Sequence, residues 1–165
     1  MTQKKALVVI DIQNDITKNY KEIIENINQS IDWAVKNDIH VVYIRHENLS
    51  TGTRTFKPNT RGSELAIDLK IASQNVFTKY KTNALTSEMF ADFITKNGIS
   101  EFYITGADAT ICVKSTVFNL RKENYQVTVL SDCITSWDKK QIPEILKYYE
   151  KNGSKIISLN DLLGI

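Results

Sequence analysis

Cysteine, histidine and proline are scarce in this chain, with two of each in 165 residues. Two cysteines, Cys112 and Cys133, make no disulfide framework, and there is no Cys-x-x-Cys pair. His40 and His46 are too few for a three-histidine metal site, and no zinc-like Cys/His spacing occurs. No stretch approaches the ~18 consecutive apolar residues of a membrane span. The net charge of +2 is too small to single out nucleic acid or a membrane surface as a partner. After the first apolar run, residues 11–15 read Asp-Ile-Gln-Asn-Asp, without the glycines that a dinucleotide-binding turn requires. The amino-terminal stretch MTQKKALVVIDI carries Asp11 and continues into polar sequence, unlike an export signal. A cytoplasmic location with both thiols reduced is the expectation.

The rest is ordinary globular composition, 42% apolar and 24% charged, over a length that suits one domain, residues 1–165. Apolar runs alternate with amphipathic stretches. Ala6 to Ile10 reads as a strand buried on both faces. A helix is expected over 18–36, with Ile23, Ile24, Ile27, Ile31 and Ala34 at helical spacing. Strands follow at 39–44 and 76–78, separated by a long loop, 45–74, with one helical turn near 64–69. Thr86 or Ser87 can cap a helix that Asn97-Gly98 ends. Then come a strand at 102–105, a small-residue turn at 106–110, and a helix from Cys112 to near Asn124. A strand at 126–130, a helix from Pro143 to Lys151, a strand at 155–158 and a last turn at 160–163 complete the chain. Such alternation implies a six-stranded, mainly parallel sheet covered by helices on both faces, with ligands at the carboxyl ends of its strands.

Three chemically capable side chains fall at such ends. Asp11 follows the first strand, Lys79 the third and Cys112 the fourth. If those strands are neighbours, a carboxylate, an ammonium and a thiol converge, a set able to run covalent acyl transfer. Asp11 would move the proton, Lys79 would stabilise the thiolate, and backbone N–H groups of the 106–112 turn would hold the oxyanion. A cysteine at a helix start also favours the thiolate, which predicts alkylation well below the free-thiol pKa of about 8.5. Each residue has a blander reading: a strand-end Asp, a solvated Lys, a small buried Cys. Cys133 reads as structural. His46, bordering the long loop, is a pocket candidate or a merely hydrogen-bonded ring. The Lys139-Lys140 pair and the Arg54, Lys57 and Arg61 group read as solvent-facing.

In combination the signals sharpen. DIQND at 11–15, FTKYKTNAL at 77–85 and GADATICVKST at 106–116 resemble the isochorismatase-like cysteine hydrolases, in order and over about residues 5–158. The resemblance implies a three-layer Rossmann-like α/β/α fold and Asp11, Lys79 and Cys112 as catalytic triad. It places a cis peptide at Ala107–Asp108, with the backbone N–H groups of Asp108 and Cys112 as oxyanion hole, and Gln13, His46, Asn83 and Leu85 around the pocket. It implies an amidohydrolase that cleaves a small amide or carbamoyl compound through a thioester, working as a homodimer or homotetramer. Nicotinamidases of the family hold a metal with an Asp-x-His pair and a further His. Here that segment is Arg45-His46-Glu47-Asn48, so neither metal nor cofactor is expected. The alternatives are a metal-free nicotinamidase activity and, outside enzymes, a redox-responsive thiol protein using Cys112 and Cys133 or an interaction module.

Overall fold

In the computed structural model, which describes residues 4–165, the apolar run becomes β1 (Lys4–Ile10), with Ala6 to Ile10 wholly shielded from solvent. The remaining strands are β2 (His40–His46), β3 (Val76–Lys79), β4 (Ile99–Gly106), β5 (Gln126–Ile134) and β6 (Lys155–Ile157). They form one sheet in the order β3-β2-β1-β4-β5-β6, and every pair is parallel. The helices are α1 (Thr17–Tyr20), α2 (Ile24–Lys36), α3 (Glu88–Asn97), α4 (Cys112–Lys122), α5 (Ile142–Lys151) and α6 (Leu159–Leu163).

Alternation along the strands divides the core into two layers. Ala6, Val8 and Ile10 face α3, α4 and α5, meeting Phe90, Val113, Val117 and Tyr149. Leu7 and Val9 face α2 and α6, meeting Ile27, Ile31 and Leu159. The three-layer architecture follows directly from the central strands being apolar on both sides. No described helix is long and apolar enough to cross a membrane.

Most element expectations hold, and the departures have local causes. Ser87 is the cap of α3, accepting from Phe90 N at 3.3 Å, and Gly98 closes that helix at φ 61°. The helix expected over 18–36 is broken at Tyr20 (φ −128°, ψ 12°), where the buried ring turns inward and a short 3₁₀ turn, Lys21–Ile23, precedes α2. The helical turn expected near 64–69 forms instead at Arg61–Ser63. Strand β5 runs four residues past its expected end, so Cys133 lies inside it.

From β1 the chain steps outward through β2 to β3, then returns to lay β4 on the other side of β1. The crevice at this switch point, outside the carboxyl ends of β1 and β4, is where an open α/β sheet binds ligands. Gly106 permits the two ends to touch. It has φ 119°, and a Cβ there would fall 2.2 Å from the Ile10 carbonyl oxygen.

Candidate active site

Asp11 leaves β1 in the left-handed region, at φ 56°, with its N–H donating to Ile44 O at 3.0 Å. This strained geometry is uncommon for a residue with a side chain. It sends the carboxylate across the strand ends. Lys79, the last residue of β3, is 1% exposed, and Asp11 is 3% exposed. Lys79 Nζ donates to Asp11 Oδ2 at 3.1 Å and to Cys112 Sγ at 3.3 Å. The three side chains therefore meet, although their strands are not all neighbours: β2 stands between β3 and β1. Lys79 crosses the end of β2, and His46 at that end becomes its third contact, with Nδ1 at 2.9 Å. The alternation that carries Val42 and Ile44 into the α4 layer puts His46 on the same face.

Asp11 Oδ1 is buried and has no hydrogen-bond partner among the described residues. Oδ2 holds the lysine, so Asp11 keeps a vacant acceptor, and one of its oxygens lies within 4.8 Å of Cys112 Sγ. Cys112 is the first residue of α4 and partly exposed, the accessible member of the group. Burial pushes its thiol up to about 12, the Asp11 charge adds to this, and Lys79 only partly offsets both. The helix start does not act alone: burial and the Asp11 charge oppose the thiolate expected from sequence.

Gln13 does not line the crevice. It is 0% exposed. Its amide donates to His46 O at 2.9 Å and Ser63 O at 2.8 Å, while its carbonyl accepts from His46 N at 2.8 Å. It welds the end of β1 to β2 and to the long loop. Asn83 caps the Ala84–Thr86 turn by accepting from Leu85 N at 2.9 Å, and Leu85 packs on the core. The loop, 47–75, is pinned along residues 12–14: Asn14 N donates to Glu64 O at 3.0 Å and Ala66 N to Ile12 O at 2.9 Å.

The 106–112 turn contains the expected cis peptide, Ala107–Asp108. Neither Asp108 N nor Cys112 N finds a partner among the turn's hydrogen bonds. The Asp108 side chain has a role that sequence reasoning missed. Its Oδ2 accepts from Tyr20 Oη and from Trp137 N, each at 2.9 Å. Its Oδ1 accepts from Thr110 N and Thr110 Oγ1, each at 2.8 Å. Burial alone would raise this carboxyl, but the bonds from Trp137, Thr110 and Tyr20 outweigh it and hold the group below its ordinary range. A folded-state pKa below the unfolded one stabilises fully above about pH 4, and the contribution is lost as pH falls through the folded value. We expect Asp108→Asn to cost about 2–4 kcal/mol in urea unfolding at pH 7, because an amide nitrogen would face donors. The deficit relative to the unsubstituted protein should shrink toward pH 3; a deficit independent of pH would contradict the assignment.

A cavity of about 690 Å³ lined by Arg45, Glu47, Ser63 and Leu65 contains none of the three catalytic candidates. Arg45 alternates with His46 on β2, so this space belongs to the opposite face of the sheet. Cys133 belongs to that opposite layer too, 0% exposed in the α2 cluster, whereas Cys112 packs against the α4 cluster. The two cysteines thus pack in different layers, and both are free, so nothing pairs them as the redox alternative would need.

One oxygen of Asp11, a ring nitrogen of His46 and Sγ of Cys112 lie within 4.8 Å of one another, a donor set zinc accepts. The Lys79 ammonium, however, contacts all three residues. The chain supplies its own cation where a metal would stand, and the residues do not fit a metal there.

A family model described as the isochorismatase domain matches residues 5–161, nearly the whole chain. The chain belongs to the isochorismatase family. It is an enzyme of the isochorismatase-like hydrolase type. The uncharacterized isochorismatase family protein YddQ of Bacillus subtilis (strain 168) is 26% identical over 140 residues, covering 79% of this chain and 78% of that protein. Two solved structures share the fold at 20% identity. The pyrazinamidase of Pyrococcus horikoshii in complex with zinc aligns with a TM-score of 0.85, over 94% of this chain and 99% of that one. The N-carbamoylsarcosine amidase from Thermoplasma acidophilum aligns with a TM-score of 0.83, over 96% and 98%.

Proposed function

We propose that this isochorismatase-family hydrolase is a cysteine amidohydrolase that cleaves the C–N bond of a small amide or carbamoyl compound, with Cys112 as nucleophile, Asp11 as proton carrier and Lys79 as electrostatic partner. The observation that carries the reading is Lys79 Nζ touching both Asp11 and Cys112, with Asp11 Oδ1 buried and unpartnered and an Asp11 oxygen within 4.8 Å of Sγ. The two solved amidases named above, which share the fold, support the choice of an amide.

The chemistry follows from how the three side chains meet. As Sγ attacks the carbonyl carbon, its proton passes to Asp11 Oδ1. The carbonyl oxygen becomes an oxyanion held by the Asp108 and Cys112 N–H groups. Asp11 returns the proton to the departing nitrogen, the C–N bond breaks, and a thioester remains on Cys112. Water then adds to the thioester as Asp11 takes its proton. The C–S bond breaks, the thiol is re-formed, and the acid product leaves. Lys79 lowers the cost of negative charge on sulfur in both halves. No metal enters any step.

The test is a screen of small amides and carbamoyl compounds for ammonia release, with intact-mass detection of an acyl group on acid-quenched protein. A substrate that releases ammonia should leave an adduct of its own acyl mass on Cys112. Ammonia release that survives Cys112→Ala would overturn the reading.

A further inference from the structure

The Lys79 ammonium has three N–H donors and three acceptors: Asp11 Oδ2 at 3.1 Å, Cys112 Sγ at 3.3 Å and His46 Nδ1 at 2.9 Å. At 1% exposure the ammonium is shielded from bulk water, and these three contacts stand in for its hydration. Two of the acceptors belong to the proposed chemistry. The third, His46, belongs to none of its steps.

The surroundings of His46 determine which nitrogen carries its proton. Its Nε2 lies 2.9 Å from Asn48 Oδ1. The Asn48 amide group donates through Nδ2 to Thr55 O at 3.1 Å, so its oxygen is left as an acceptor and Nε2 must be the N–H. Nδ1 is then a lone pair aimed at the ammonium. The Gln13 amide clamps the His46 backbone on both sides, and Phe56 packs edge-on with ring centroids 5.8 Å apart. Burial, and then the Lys79 charge, hold the imidazole below its ordinary range, against the smaller opposing pull of Asp11. A neutral ring is required: a protonated one would turn an N–H toward an ammonium.

We infer that His46 is a positioning residue for the triad, whose Nδ1 lone pair holds the buried Lys79 ammonium aimed at Cys112, and that Asn48 and Phe56 make this aim depend on the loop that follows β2. The inference rests on the proposed function for its consequence in turnover, but not for its geometry. Without the third acceptor, one ammonium N–H is buried and unsatisfied, and the ammonium is no longer held in line with Cys112. Cys112 then loses the one influence that lowers its pKa through charge.

The test uses the full chain with iodoacetamide as probe, following Cys112 alkylation by mass spectrometry at pH 9. Loss of the acceptor in His46→Leu should slow alkylation at least fivefold. His46→Gln, whose side-chain oxygen can accept from Lys79, should stay within twofold of the unsubstituted protein. Leucine at the parent rate, or glutamine as slow as leucine, overturns the inference. Should the leucine variant not fold, the unsubstituted protein still decides through ¹⁵N imidazole shifts. With only His40 and His46 to assign, His46 should be neutral at pH 7 with the proton on Nε2, and a proton on Nδ1 would overturn the inference. On any amide that releases ammonia, His46→Leu should lower kcat about tenfold with KM little changed, the mark of an interaction that acts in the transition state. Since alkylation and tautomer need no substrate, they fail or succeed independently of the amidase reading.

Discussion

Replacing Cys112 by Ala is expected to reduce ammonia release by about 10⁴–10⁶-fold, the scale seen when a covalent nucleophile is removed. The fold should survive, because Cys112 is only partly buried and opens a helix rather than filling the core. Cys112→Ser should fall nearly as far. A hydroxyl is much less acidic than a thiol, and this thiol is already pushed up to about 12 by burial and by Asp11. The raised value also shapes the pH dependence. With burial and Asp11 disfavouring the thiolate, iodoacetamide is expected to label Cys112 slowly at pH 7 and faster with each unit toward pH 10. Turnover should nevertheless proceed at neutral pH, since a bound carbonyl lets the proton leave for Asp11 as the C–S bond forms. Rapid labelling at pH 6 would show instead that the thiolate is preformed.

The contrast shows where reading the chain alone stops. The strand-end positions of Asp11, Lys79 and Cys112 were legible because apolar runs such as Ala6–Ile10 mark strands, and ligand sites gather at their carboxyl ends. The resemblance joined three separated motifs into one site and anticipated the cis peptide. Strand order was not legible. Sequence order made β3 a candidate neighbour of β1, but β2 lies between them, and that intervening strand is what brings His46 to Lys79. Nor was the thiol's environment legible. A helix start pulls a cysteine toward thiolate and burial pushes it back, and the balance depends on packing that no local window contains. The Tyr20–Asp108 bond joins residues 88 apart, and its trace in sequence was only a tyrosine inside an otherwise regular helical pattern. Gln13 was legible as part of a motif but not in its role: its side chain is consumed by internal bonds.

Lys79→Met should do two separable kinds of damage. The Lys79–Asp11 pair is buried, with side chains 0% and 4% exposed, so removing the ammonium strands a carboxylate in a low-dielectric setting. Breaking one side of such a pair typically costs about 3–5 kcal/mol. A loss of that size should appear as a lower urea midpoint with an unchanged slope. Turnover should also fall by two orders of magnitude or more, because the charge that favours developing thiolate is gone. The double substitution Asp11→Asn, Lys79→Met separates the two effects. It removes both charges while nearly preserving volume, and a well-packed neutral pair can match a buried ionic one in stability. We therefore expect the double variant to regain most of the lost urea resistance and none of the lost ammonia release. If Lys79→Met alone matched the parent in stability, the pair would contribute nothing to the fold. If the double variant recovered activity with stability, the buried charges would be scaffolding rather than chemistry. Stability restored without turnover is the result that a proton-carrying Asp11 and a thiolate-stabilising Lys79 require.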